Sequence, residues 1–200
     1  VGIGSFGPLN LDKSSPDYGS ITSTPKTAWQ NVNILKILSE ELQLPVAFDT
    51  DVNATALGEH YWGAGRGLSD FIYLTIGTGI GGGGMVNGEL MHGLMHPEMG
   101  HIFIPHDREN DSFAGICPFH GDCFEGLASG PALAARWGKK AEELEETHPA
   151  WDLEGRYIAL ALVNYTVTLS PQRIIIGGGV MQQKKLLPKI QNKVQELLNN

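Results

Sequence analysis

Three apolar runs in this chain each end in glycine: Val1 to Gly7, Phe71 to Gly79 and Arg173 to Gly179. A strand that runs into glycine brings bare backbone N–H groups to its end, where phosphates are commonly held. The segments between these runs have helical spacing, so strand and helix are expected to alternate in an α/β fold. Trp29, Val32, Leu35, Leu38 and Leu42 predict a helix that closes near Pro45. Val46–Phe48 predicts a short strand, Val52–Tyr61 a helix, and Phe71–Ile76 the most strand-like run. Ile80–Val86 predicts a glycine-rich return strand, with Asn87-Gly88 as a hairpin turn. A short strand is expected over His101–Pro105, and a helix over Glu125–Trp137 with Gly130-Pro131 as a point where it can break. Leu153–Leu169 predicts an apolar helix and Arg173–Ile176 a buried strand. Leu187, Ile190, Val194 and Leu197 mark a last amphipathic helix.

With 200 residues and 42% hydrophobic content, the chain has enough apolar side chains for one core or for parts of two lobes. A net charge of -8 argues against nucleic acid as a direct partner. No apolar run approaches the roughly 18 residues of a membrane helix, so no membrane partner is expected. Two cysteines argue against a disulfide framework and point to a reducing, cytoplasmic setting. The chain starts at Val1, inside an expected strand, and ends just after an expected helix. A longer protein is therefore expected.

Both cysteines lie in Cys117-Pro118-Phe119-His120-Gly121-Asp122-Cys123, with His120 between them and His101 on an earlier segment. Two thiolates and two imidazoles suit a tetrahedral zinc, and Pro118 and Gly121 turn the loop tightly. Four protein ligands leave no open position, so the zinc is expected to be structural. The alternative is two buried thiols with surface histidines. Glu98 and Glu125 bracket the set and are what a metal-fixed loop would present.

Six glycines fall within residues 77–84. With Thr78, they fit either a phosphate cradle or a hairpin packed closely under another element. No Gly-Lys-Ser/Thr follows, which excludes a Walker A loop. Asp51 stands between a short strand and a helix, and it fits a helix cap or a general base equally well. Gly177, Gly178 and Gly179 fit a surface for a flat nucleoside, or merely a tight turn.

Taken together, these segments resemble the ROK family of sugar kinases. The matching pieces are Asp49-Thr50-Asp51-Val52-Asn53-Ala54, Leu74 to Gly84, Glu98-Met99-Gly100-His101 and Ile175 to Val180. The His120 variant of the zinc segment and Thr24-Pro25-Lys26-Thr27-Ala28-Trp29 look like the bacterial zinc-containing fructokinase subgroup. The resemblance implies an actin/hexokinase-like (ribonuclease H-like) ATPase fold of two lobes, truncated at both ends. Residues 1–50 would close the smaller lobe and 51–200 would form most of the larger. It implies an ATP-dependent fructokinase that phosphorylates the 6-hydroxyl of D-fructose. Asp51 would be the base, and Glu98, His101 and Glu125 would bind sugar. Gly77, Thr78, Gly79, Gly177, Gly178 and Gly179 would bind ATP. His101, Cys117, His120 and Cys123 would hold structural Zn2+, and Mg2+ would come with ATP. A homodimer is implied as well. The family also contains kinases for mannose and glucose and sugar-responsive repressors, while a zinc hydrolase would need an open metal position. The family's Asp-x-Gly-Gly-Thr hairpin and its closing glycine-rich helix are not found in these residues. They are expected beyond the two ends, and these 200 residues alone are not expected to hold Mg-ATP fully.

Overall fold

A computed structural model describes residues 1–199 and is α/β, as the alternating pattern requires. The chain divides into two compact units, Val1–Tyr73 with Gly83–Pro97, and Leu74–Gly82 with Glu98–Asn200.

In the first unit, β1 (Gly2–Ser5) and β4 (Ala47–Thr50) pair in parallel, from Gly2↔Ala47 to Ser5↔Thr50. Helix α2 (Asp51–Trp62) packs on both strands. A Cβ on Gly4 would lie 2.7 Å from the Ala54 Cβ, so glycine is what lets the helix approach. A small antiparallel pair, β2 (Ser20–Ile21) and β3 (Val32–Asn33), leads into α1 (Ile34–Leu42). Leu9, Ile21 and Phe48 form the core, joined by Ile3, Leu11 and Leu35.

The helix expected from Trp29 starts five residues later, at Ile34. Asn33 caps it, its side chain accepting the Lys36 N–H at 2.8 Å. Before the cap, Asn31 is left-handed at φ 59°, and Trp29 ends a short 3-10 turn with its ring edge-on to Phe6. Apolar spacing alone carried the expectation across a cap that breaks it.

A four-stranded sheet has the order β7-β6-β5-β8, formed by β5 (Phe71–Ile76), β6 (Ile80–Val86), β7 (Glu89–Leu90) and β8 (Arg173–Gly177). Asn87 and Gly88 make the expected turn, both with positive φ. The strand expected to be buried, β8, is instead an edge strand, exposed at Arg173 and half-buried over its isoleucines.

The second unit carries α3 (Phe124–Ala128), α4 (Gly130–Trp137), α5 (Ala150–Leu169) and α6 (Leu186–Leu197). Helix α5 packs on α3 and α6. The break between α3 and α4 falls at Ser129, whose hydroxyl caps α4 by accepting the Ala132 N–H at 3.3 Å. No strand forms over His101–Pro105. Met99–His101 is a 3-10 turn, and the extended residues beyond it are tied by the Phe124 N–H to the Ile102 carbonyl at 2.9 Å. Pro105 has no N–H to extend a ladder.

Beside this segment lies a buried ionic network. Asp111 accepts from the Tyr157 hydroxyl at 2.7 Å and from Arg136 Nε at 3.2 Å. His106 joins the Asp111 carbonyl to the Asp122 carboxylate, which Arg108 also pairs. Burial would lift the Asp111 carboxyl, but Tyr157, Arg136 and the Phe113 N–H outweigh it and hold it below the usual range.

Candidate active site and metal centre

The four residues read as a metal clip converge. One ligand atom from each of His101, Cys117, His120 and Cys123 lies within 4.8 Å of all the others. His101 Nδ1 is 3.5 Å from Cys123 Sγ and 3.7 Å from Cys117 Sγ, and His120 Nδ1 is 3.7 Å from Cys117 Sγ. A tetrahedral zinc with ordinary bond lengths would set N···S edges of roughly 3.5 Å, so the donor set fits. The loop is shaped for this. Cys117 and Gly121 exchange backbone hydrogen bonds at 3.0 and 2.9 Å, and Gly121 has φ 63°. A Cβ on Gly126 would fall 1.9 Å from the Gly121 carbonyl oxygen, so only glycine fits beneath the turn. Both thiols are buried and free. Burial, followed by the neighbouring Cys117 and Glu125, pushes the Cys123 thiol up to about 11. A cation bound by Cys123 must therefore expel that thiol's proton.

The sugar-motif residues stand around this clip. Glu98 opens the 3-10 turn that ends in His101, its carbonyl accepting the His101 N–H at 3.0 Å. The Tyr165 hydroxyl of α5 donates to the Met99 carbonyl at 2.5 Å and pins the turn. Glu125, two residues past Cys123, accepts the Ile80 N–H on Oε2 at 2.8 Å.

The glycine-rich stretch does two jobs. Gly77 and Thr78, at its turn, line a cavity of about 770 Å³ together with Gly179. Gly82, Gly83 and Gly84 serve close packing. A Cβ would lie 2.7 Å from Leu74 and Met99 at Gly82, 2.4 Å from Asn53 Oδ1 at Gly83, and 2.2 Å from the Phe71 carbonyl oxygen at Gly84. Gly79 faces Glu125, with 2.8 Å between a built Cβ and Oε2. Gly177 ends β8. Gly178, at φ 99°, lies against β5, where a Cβ would meet the Ile76 carbonyl oxygen at 2.3 Å. The cavity is also lined by Pro131, Lys140, Trp151 and Gln183, which sequence reasoning missed. Lys140 lay in a charged stretch with no sign of a site, and the others have no motif.

The cap on α2 is Thr50, whose hydroxyl accepts the Asn53 N–H at 3.1 Å. Asp51 is thereby left exposed in the first turn, its carboxylate accepting the adjacent Val52 N–H at 2.9 Å. Around it stands a hub the sequence did not reveal. Buried Asn53 accepts the Gly84 N–H at 3.3 Å and donates to Asp49 at 3.0 Å and to the Met91 carbonyl at 3.2 Å. His92 Nε2 lies 2.8 Å from the other Asp49 oxygen.

Comparison with known proteins places the chain in a family. The ROK family pattern matches residues 1–200. A putative fructokinase of Bacillus subtilis (strain 168) is 54% identical over 200 residues, covering 100% of this chain and 67% of that protein. A fructokinase of Lactococcus lactis subsp. cremoris is 50% identical over 200 residues, covering 100% of this chain and 68% of that protein. The crystal structure of a ROK family glucokinase from Streptomyces griseus, in complex with glucose and AMPPNP, superposes with a TM-score of 0.78 at 27% identity. It covers 100% of this chain and 72% of the other. With a match along the whole of residues 1–200, this chain belongs to the ROK family.

Proposed function

We propose that this ROK chain is an ATP-dependent fructokinase, transferring the γ-phosphoryl group of ATP to the 6-hydroxyl of D-fructose. Its match to proteins named fructokinase, over 100% of this chain and 67–68% of theirs, carries the reading. The cavity lined by Gly77, Thr78 and Gly179 supports it, being concave, partly bare backbone and large enough for a nucleotide.

Phosphoryl transfer asks a protein mainly for positioning and charge stabilisation. Asp51 takes the proton of the 6-hydroxyl as its oxygen attacks the γ-phosphorus, and ADP leaves. The exposed carboxylate fits that task, because Thr50 has taken over the helix cap. Glu98, His101 and Glu125 hold the remaining hydroxyls. His101 offers one ring nitrogen to the metal and keeps the other for sugar. Gly77, Thr78, Gly79 and Gly177–Gly179 form the nucleotide surface, and Mg2+ arriving with ATP supplies charge neutralisation. His101, Cys117, His120 and Cys123 hold a structural Zn2+. Residues 1–50 belong to the smaller lobe and 51–200 to the larger. A homodimer in the cytoplasm completes the reading, since the clip needs reduced thiols.

The full-length protein, assayed with ATP and a panel of hexoses, is expected to give fructose the highest kcat/KM. A panel led by glucose or mannose would place it elsewhere in the family. Asp51→Asn is expected to lower kcat by about 10²–10⁴ with little change in fructose Kd. Near-normal turnover in that variant would remove Asp51 as the base.

A further inference from the structure

The nucleotide turn is held from outside at both ends. The Gly130 N–H donates to the Gly77 carbonyl at 2.7 Å, and Glu125 Oε2 accepts the Ile80 N–H at 2.8 Å. The next peptide, which carries the Ile80 carbonyl, is covered as closely. A Cβ on Gly100 would lie 1.8 Å from the Ile80 carbonyl oxygen, so only glycine fits there. The two residues that close on Ile80 are each tied to a metal ligand. Gly100 precedes His101, and Glu125 follows Cys123 by two residues, in the helix for which Cys123 is the N-cap. His101 Nδ1 and Cys123 Sγ are 3.5 Å apart. The metal clip thus joins two jaws, one on the Ile80 N–H and one on the Ile80 carbonyl.

We infer that the metal clip is a clamp on the phosphate hairpin, with Glu125 as its positioning residue. Glu125 and Gly100 fix the two peptides that flank the Ile80 Cα, and metal at His101 and Cys123 sets the spacing of these two jaws. The inference rests on the kinase reading and adds to it. A zinc without an open position still governs nucleotide binding, through the backbone of Gly77–Ile80. Glu125 then has two duties that chemistry separates. A sugar hydroxyl favours a charged carboxylate, whereas the Ile80 N–H needs only a carbonyl-type acceptor, which glutamine also offers.

The test uses the full-length protein and three variants, Glu125→Gln, Glu125→Ala and Cys123→Ser. Mg-ATP Kd is measured by calorimetry without sugar, and amide hydrogen exchange is followed on peptides covering residues 74–82. Glu125→Ala is expected to raise the Mg-ATP Kd about tenfold, the scale of one lost hydrogen bond, and to speed exchange at Ile80. Glu125→Gln should keep both within about twofold while weakening fructose, because the acceptor survives and the charge does not. Cys123→Ser, and wild-type protein stripped of metal, should reproduce the faster exchange. Equal Mg-ATP Kd values in the alanine variant and wild type would overturn the clamp, as would hairpin exchange indifferent to metal. A wild type that binds no nucleotide would instead overturn the kinase reading, and the exchange experiment would still decide the clamp.

Discussion

The segment from His101 to Glu125 is gripped in two places by opposite means. At its ends, His101, Cys117, His120 and Cys123 gather four metal-type donors. In its middle, Asp111 is buried and paired by Tyr157 and Arg136, with His106 leading on to Asp122. The first grip needs an added ion, because burial keeps the Cys123 thiol protonated without one. The second is closed by the chain itself. An ion makes a short loop rigid locally and reversibly. A buried ion pair binds helices α4 and α5 to the loop, and every partner depends on the others.

The largest effect is expected from Asp111→Ala. Arg136 and the Tyr157 hydroxyl would lose their acceptor inside the protein, and breaking a buried pair on one side costs about 3–5 kcal/mol. Urea melts followed by far-UV circular dichroism should show that loss. A change below about 1 kcal/mol would mean that the network contributes no more than an exposed salt bridge.

Acid should separate the two grips in order. Asp111 is held below its ordinary range in the folded protein, so its contribution is fully present above the unfolded carboxyl's titration. That contribution is lost as pH falls through the lower folded value. A metal held by the clip, as proposed, would be released earlier, because protons compete directly for its imidazoles and thiolates. A dye that reports free zinc, read beside the helical signal, should therefore respond at higher pH than the helices do. Simultaneous transitions would show that the grips are one cooperative unit.

The smallest effect concerns the unfinished edge of the network. Glu154 on α5 is fully buried with neither carboxyl oxygen bonded, and Arg136 Nη2 is also without a partner. Burial keeps the Glu154 carboxyl protonated well above its usual range, a tendency that the Arg136 charge partly opposes. Near neutral pH the unfolded chain ionises and the folded chain does not, so stability falls as pH rises past the unfolded value. Glu154→Gln should raise the melting temperature at pH 7, within the ~0.5–2 kcal/mol that improving one buried site returns. The gain should vanish near pH 4. A gain of equal size at both pH values would show that packing, not ionisation, is responsible.

The clip was readable in the sequence because three of its four donors fall within seven residues, and short spacing fixes geometry. The Asp51 helix and the Asn87-Gly88 turn were readable for the same local reason. The Asp111 network was not, since Asp111, Arg136 and Tyr157 meet only after two helices have packed. The glycines were legible as a group but not individually. Gly77 beside a cavity and Gly84 against a carbonyl both lack a Cβ, and only the neighbour that approaches tells them apart. The helix begun too early at Trp29 failed because apolar period outvoted Asn33, whose capping bond decides where the helix starts.

Asn53 has a consequence for how the chain is made. Its amide waits for the Met91 carbonyl, 38 residues downstream. The first unit includes Gly83–Pro97 as well as Val1–Tyr73. A ribosome that adds about 5–20 residues per second needs roughly 2–8 s to cover that gap. During those seconds the Asn53 amide of α2 has only Asp49, four residues upstream, of its two acceptors, and the glycine hairpin is still emerging. Synthesis order and completion order therefore differ here. The amino-terminal unit closes only after the chain has made the first stretch of the other unit and returned.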